Sequence, residues 1–243
     1  PEGYVVNKTV YPVHVSAGKT VEVSAEDTRV KGKITVKKQD ADTEGYLPQG
    51  DAQLKGAVYG LYARSDIQNP DGTGVLYQAG SLIAQKTFGE SGEIVFEDLY
   101  LGEMYLKEIT APEGYLLDET EYDVTLDYEG QETSVVTEAL TVIEQVMKQA
   151  FQLIKISEDG DQTETDLVAG AEFTVYLISE LSKVKDGTLK PSNGAAFSAE
   201  DFTAYDFTNE KPAVTYEDGK AVEVPVLVTD EKGYACSVEL PYG

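Results

Sequence analysis

The amino-acid sequence predicts an all-β protein made of tandem immunoglobulin-like β-sandwich domains. Three observations carry this expectation. Short segments rich in Val, Ile, Tyr and Thr are bounded by Gly, Pro, Asn and Asp, which is how strands and their turns are punctuated. Inside these segments apolar and polar residues alternate, and no stretch keeps a helical period over ten residues except, weakly, Val136 to Lys148. The punctuation also recurs along the chain in the same order.

Pro1-Glu2-Gly3-Tyr4 returns as Pro112-Glu113-Gly114-Tyr115, and at the same offset Tyr11-Pro12-Val13 returns as Tyr122-Asp123-Val124. Leu54-Lys55-Gly56-Ala57-Val58-Tyr59 returns as Val168-Ala169-Gly170-Ala171-Glu172-Phe173, and the run from Gly92 to Gly102 returns from Gly233 to Gly243. This divides the chain into residues 1–29, the C-terminal strands of one unit; residues 30–148, a complete unit; and residues 149–243, the N-terminal part of a further one. The complete unit should have about seven strands, near Lys33–Gln39, Ala57–Arg64, Leu82–Thr87, Glu93–Leu99, Met104–Thr110, Glu121–Tyr128 and Thr133–Val146. The further unit has 27 more residues between Gly170 and Gly243 than separate Gly56 from Gly102. They fall around residues 179–225, rich in Asp, Thr, Ser and Gly, and are expected to form a surface excursion with a short helical turn near Ser198 to Phe202.

Composition narrows the function. Nineteen Lys and Arg against 44 Asp and Glu leave a net charge of −25, which excludes nucleic acid as a partner because phosphate neutralisation needs basic patches. The acids are spread through structured segments and read as a solvated, self-repelling surface. A single cysteine, Cys236, cannot form an intrachain disulfide, and it stands where Val95 does in the repeat. No apolar run approaches the ~18 residues of a membrane span, and no signal peptide opens the chain. With no initial Met, the sequence reads as a fragment.

Strand parity places ionisable groups on inward faces. Successive strand side chains point to opposite sides, so Met104, Leu106 and Glu108 share one face, as do Ile34, Val36 and Lys38. Leu140, Val142, Glu144 and Val146 do the same if that stretch is extended. One interior would then hold a lysine and two glutamates. In the flanking pieces Phe151, Leu153 and Lys155 share a face, as do Val21, Val23, Ala25 and Asp27. An unpaired buried charge costs several kcal/mol, so each group must find a partner or change protonation.

The order of these motifs resembles the Cna B-type, or SpaA-like, domains of Gram-positive cell-surface adhesins and pilins. Lys38 with Asp40 is similar to that family's K-x-D opening, Leu54 to Ala57 to its next signature, and Tyr105 to Tyr115 to its E-box. The resemblance implies a prealbumin-like fold and an extracellular, cell-wall location. It also implies an intramolecular isopeptide bond in which Lys38 is the nucleophile and Glu108 the proton shuttle. Glu144 stands at the acceptor position where the family has Asn or Asp, so a hydrogen-bonded Lys38–Glu108–Glu144 cluster with one carboxyl protonated is the alternative. For the preceding unit Asp27 fits the acceptor position and its partners are missing; for the further unit Lys155 fits and its E-box partner is missing.

Other motifs carry less. Asp40, Asp42, Glu44, Gly45 and Asp51 loosely follow an EF-hand loop, but Glu44 takes a position that prefers Asp or Asn and flanking helices are absent, so a solvated acidic loop is expected. Asp159, Asp161 and Asp166 receive the same reading. Val10-Tyr11-Pro12 resembles a pilin polymerisation motif with Val13 where its Lys should follow, and Leu47-Pro48-Gln49-Gly50 lacks the Thr of a sortase signal and is a turn. His14, the only histidine, sits on an expected strand with no partner for a metal site or triad. No metal and no cofactor are implied. The expected function is a non-enzymatic stalk or shaft module whose partners are neighbouring domains of the same protein. The alternative is an adhesin module that recognises host extracellular matrix or glycan through the 179–225 insertion. A glycosidase using paired carboxylates is disfavoured, because the carboxylates face a core rather than a cleft.

Overall fold

A computed structural model describes residues 1–157, 168–173, 227–237 and 239–243. The chain is all-β: every element among the described residues is a strand. It divides into two units, one comprising Pro1–Leu47 and Leu54–Gln145, the other Pro48–Gln53 and Val146–Gly243.

The first unit has nine strands: β1 Lys31–Asp40, β2 Val58–Ala63, β3 Ile67–Gln68, β4 Val75–Tyr77, β5 Leu82–Thr87, β6 Glu93–Leu99, β7 Gly102–Thr110, β8 Tyr122–Leu126 and β9 Val135–Glu144. Seven of these occupy the stretches expected from alternation, with ends shifted by a few residues. The β3–β4 pair was not foreseen, because two- and three-residue strands show no period. One sheet runs β6-β1-β9 and the other β5-β2-β7-β8. Ile34, Val36, Phe96, Val136 and Val142 of the first sheet and Tyr59, Leu61, Met104, Leu106 and Leu126 of the second fill one core.

The unit's first and last strands pair directly. β1 and β9 run parallel over ten residue pairs, from Lys31↔Val135 to Asp40↔Glu144. On its other side β1 pairs antiparallel with β6 through a bulge between Gly32 and Ile34, where Asp98 takes φ +57. The weak helical period of Val136 to Lys148 is overridden: Val135, Val136, Thr137, Thr141, Val142 and Ile143 are β-branched and pair along β1.

The second unit carries β10 Lys148–Gln149, β11 Gln152–Ile154, β12 Glu172–Phe173, β13 Leu227–Val228, β14 Tyr234–Cys236 and β15 Leu240–Pro241. Its pairs are β10–β15, β11–β14 and β12–β13. Leu153↔Ala235 reproduces Val36↔Ile94 at the positions the repeat equates. The Lys155 N–H donates to the Gly233 carbonyl at 2.7 Å as the Lys38 N–H donates to that of Gly92 at 3.1 Å. Matched glycines also share a left-handed backbone, φ +92 at Gly56 and +71 at Gly170, φ +65 at Gly92 and +71 at Gly233.

Several expectations are corrected. Residues 5–28 form no strand: Val21 and Val23 are 43% and 50% exposed, and Asp27 is exposed rather than facing a core. Strand geometry needs a neighbour for its N–H and C=O groups. Here the backbone bonds to the rest of the unit lie at the base of the segment, in the Tyr4↔Arg29 bridge, the Val5 N–H to Thr28 carbonyl bond at 2.8 Å and the Val6 N–H to Gln131 carbonyl bond at 2.9 Å. His14 therefore lies exposed in irregular chain, not on a strand. Lys155 and Phe151 are exposed as well; the small cluster of Ala235, Phe173 and Leu240 covers only Leu153 on that face. The 179–225 insertion, the turn near Ser198 to Phe202, and Asp159, Asp161 and Asp166 lie outside the described residues.

Gly92 opens β6, and a Cβ there would meet the Tyr46 ring at 2.5 Å on a backbone with positive φ. Gly92→Ala is expected to destabilise the first unit by ~1–3 kcal/mol, measured by chemical denaturation.

Candidate functional site

Three strands deliver one side chain each to a closed site between the sheets. Alternation turns Lys38 of β1, Glu108 of β7 and Glu144 of β9 inward, and all three side chains are fully buried. The Lys38 Nζ donates to Glu144 Oε1 and lies 3.8 Å from Glu108 Oε1. Tyr59 of β2 donates its hydroxyl to the same Glu144 Oε1 at 3.0 Å. Two aromatic rings wall the amine, with Nζ 4.8 Å from the Phe88 centroid and 5.1 Å from that of Tyr59. The two rings meet edge to face at 5.6 Å.

Burial sets the protonation states. It lowers the Lys38 pKa, an effect that Glu144 and then Glu108 partly oppose. Burial also raises Glu108 to about 7, against the Asp118 N–H, which donates to Oε2 at 2.8 Å and favours the carboxylate. The neighbouring Glu144 carboxylate pushes Glu108 further up, and the Lys38 amine pulls it down. Two oxygens stay without a hydrogen-bond partner, Glu108 Oε1 and Glu144 Oε2. A buried site with a weakly basic amine, a carboxyl near neutrality and an acceptor carboxylate is suited to proton transfer and condensation.

Parity thus brings Lys38, Glu108 and Glu144 together, whereas Asp27 and Lys155 lie exposed and join no such cluster among the described residues. The sequence reading missed Tyr59 and Phe88 as walls; Tyr59 was visible in the Leu54–Tyr59 motif, but nothing local distinguishes a site hydroxyl from a strand tyrosine. Asp40 is a correction. It is 0% exposed rather than part of a solvated loop. Its carboxylate accepts from the N–H groups of Asp42 and Thr43, each at 2.9 Å, and from the Tyr115 hydroxyl at 2.7 Å. Among the described residues no group of three His, Cys, Asp or Glu is arranged to hold a metal ion, and no helix is long and apolar enough to cross a membrane.

Residues 32–140 match the SpaA family of prealbumin-like fold domains. The first unit is a SpaA-type prealbumin-like domain. Among solved structures, the TIE protein of Bacillus anthracis is 20% identical with a TM-score of 0.57, the match covering 100% of this chain and 33% of that one. The pilus 2b backbone protein of group B streptococcus is 28% identical over 50% of this chain and 43% of its own, with a TM-score of 0.33. The minor pilin GBS52 of Streptococcus agalactiae is 20% identical over 49% of this chain and 46% of its own, with a TM-score of 0.34. The chain therefore spans between a third and just under half of these proteins. No curated protein matches it.

Within the SpaA-type domain the two glutamates are closed to any external substrate, since both side chains have 0% exposure. A pH profile reports Glu108. Its folded pKa, about 7, exceeds its ordinary 4.5, so between these values the folded state holds a proton that the unfolded chain has released. Stability from this group is complete below pH 4.5 and is lost as pH rises through about 7. Glu108→Gln should abolish that fall, which amounts to a few kcal/mol at ~1.4 kcal/mol per pKa unit, measured as the difference in melting temperature between wild type and variant across the range.

Proposed function

We propose that the chain is a structural stalk or shaft module of a Gram-positive cell-surface adhesin or pilin, acting outside the cell by resisting extension rather than by turnover. The observation that carries this reading is the Lys38–Glu144 contact, which joins the first strand of the SpaA-type domain to its last inside the core. Tension applied to the ends of the domain acts on β1 and β9. Because they are parallel neighbours, their hydrogen bonds would be loaded together in shear. Residues 149–243 supply a flanking unit of a tandem array, a reading supported by the shared β1–β6 and β11–β14 register.

The lock is proposed to be covalent. Lys38 first passes one proton to Glu144; Nζ of the resulting neutral amine then attacks Cδ of the neutral acid, a C–N bond forms, a C–O bond breaks and one water leaves. Glu108 carries a proton from the nitrogen to the departing oxygen and ends unchanged. The step removes a buried ion pair and one of the two partnerless oxygens, both of which are costly in a dry core.

Intact mass is expected to show the chain lighter by one water, and Lys38→Ala at full mass; an unshifted wild type would leave an ion cluster as the lock. In single-molecule stretching the wild-type domain should withstand a force at which Lys38→Ala unfolds. Equal, low unfolding forces for both would overturn the stalk reading.

A further inference from the structure

We propose that the Tyr59 hydroxyl is the group that fits this centre to a glutamate acceptor, donating its proton to the oxygen of Glu144 that becomes the amide carbonyl. The inference rests on the covalent reading above and adds a participant to it.

The geometry divides the two oxygens of Glu144 into different roles. Oε1 receives the Tyr59 hydroxyl at 3.0 Å, within the distance at which a fixed donor stabilises developing negative charge. Oε2 has no partner, and neither has Glu108 Oε1. When Nζ adds to Cδ, negative charge collects on the oxygen that Tyr59 holds. Oε2 already carries the proton that Lys38 released before the attack; Glu108 Oε1, as a carboxylate, removes a second proton from the nitrogen and delivers it to that hydroxyl. Collapse of the adduct restores the Oε1 carbonyl and expels Oε2 as water, so every atom is accounted for. Glu108 can serve because its other oxygen is held by the Asp118 N–H at 2.8 Å, leaving Oε1 toward the amine, 3.8 Å away.

The repeat separates the two duties of Tyr59. Its ring walls the lysine with Phe88, a task any aromatic ring can perform, and the equivalent residue of the second unit is Phe173. Its hydroxyl is not needed for packing. A buried hydroxyl without a partner is costly, so its placement on Glu144 is a specific arrangement rather than a by-product of filling space.

The test follows water loss by intact mass after refolding of the full chain. Wild type should convert fully, and Tyr59→Phe should convert on the order of a hundredfold more slowly, as expected for loss of one oxyanion donor. Melting of Lys38→Ala with and without Tyr59→Phe checks that the fold survives removal of the hydroxyl. A ring-fluorinated tyrosine at the same position keeps shape and donor but strengthens donation, and should change the rate with hydroxyl acidity. Unchanged rates in Tyr59→Phe and in the fluorinated protein would overturn the role of Tyr59 while leaving the amide intact. A wild type that stays at full mass would overturn the covalent reading itself, and the role of Tyr59 with it.

Discussion

The first unit depends on the parallel pairing of β1 with β9 across an interior that contains charge. Ten residue pairs bring the start and end of the domain together, and on the inward face of that ladder Lys38 meets Glu144. Desolvating an amine and two carboxyls is expensive, and it is offset only if all three arrive in register. A slip of one residue in β1 or β9 would turn the lysine or the glutamate to the solvent face and leave the others uncompensated. The cluster therefore specifies the register of the sheet as well as occupying its core.

The segment after β7 closes the site from the other end. Pro112 to Tyr115 turns the chain, with the Tyr115 N–H donating to the Pro112 carbonyl at 3.2 Å. Tyr115 then inserts beneath β1 and donates to Asp40, and the Leu116 N–H donates to the Gln145 carbonyl beside the end of β9 at 2.9 Å. Three residues on, the Asp118 N–H fixes Glu108, while the Asp118 carboxylate accepts from the Tyr122 hydroxyl at 2.6 Å. Burial and that bond hold the Tyr122 pKa up at about 12. One turn thus joins the ends of β1, β7 and β9 around the buried acids. The same tetrapeptide at Pro1 to Tyr4 leads into the Tyr4↔Arg29 bridge at the base of the first unit.

The mechanical reading and the chemical one share this geometry. Aromatic walls keep water from the amine, and exclusion of water is what lowers its basicity and raises that of Glu108. The same exclusion would strengthen any hydrogen bond to an adduct at Glu144 and protect the joined strands from hydrolysis.

Strand positions, the repeat and the convergence of Lys38, Glu108 and Glu144 were legible in the sequence, because a period of two states which side chains share a face without reference to anything distant. The partners on the other sheet were not. Tyr59 and Phe88 face Lys38 only through sheet-on-sheet packing, and Asp40 meets Tyr115 across 75 residues of chain. Asp27 and Lys155 mark the limit of parity from the other side. Each alternates as a core position should, yet burial also requires a neighbouring strand and a covering face, and those are supplied by the tertiary structure alone.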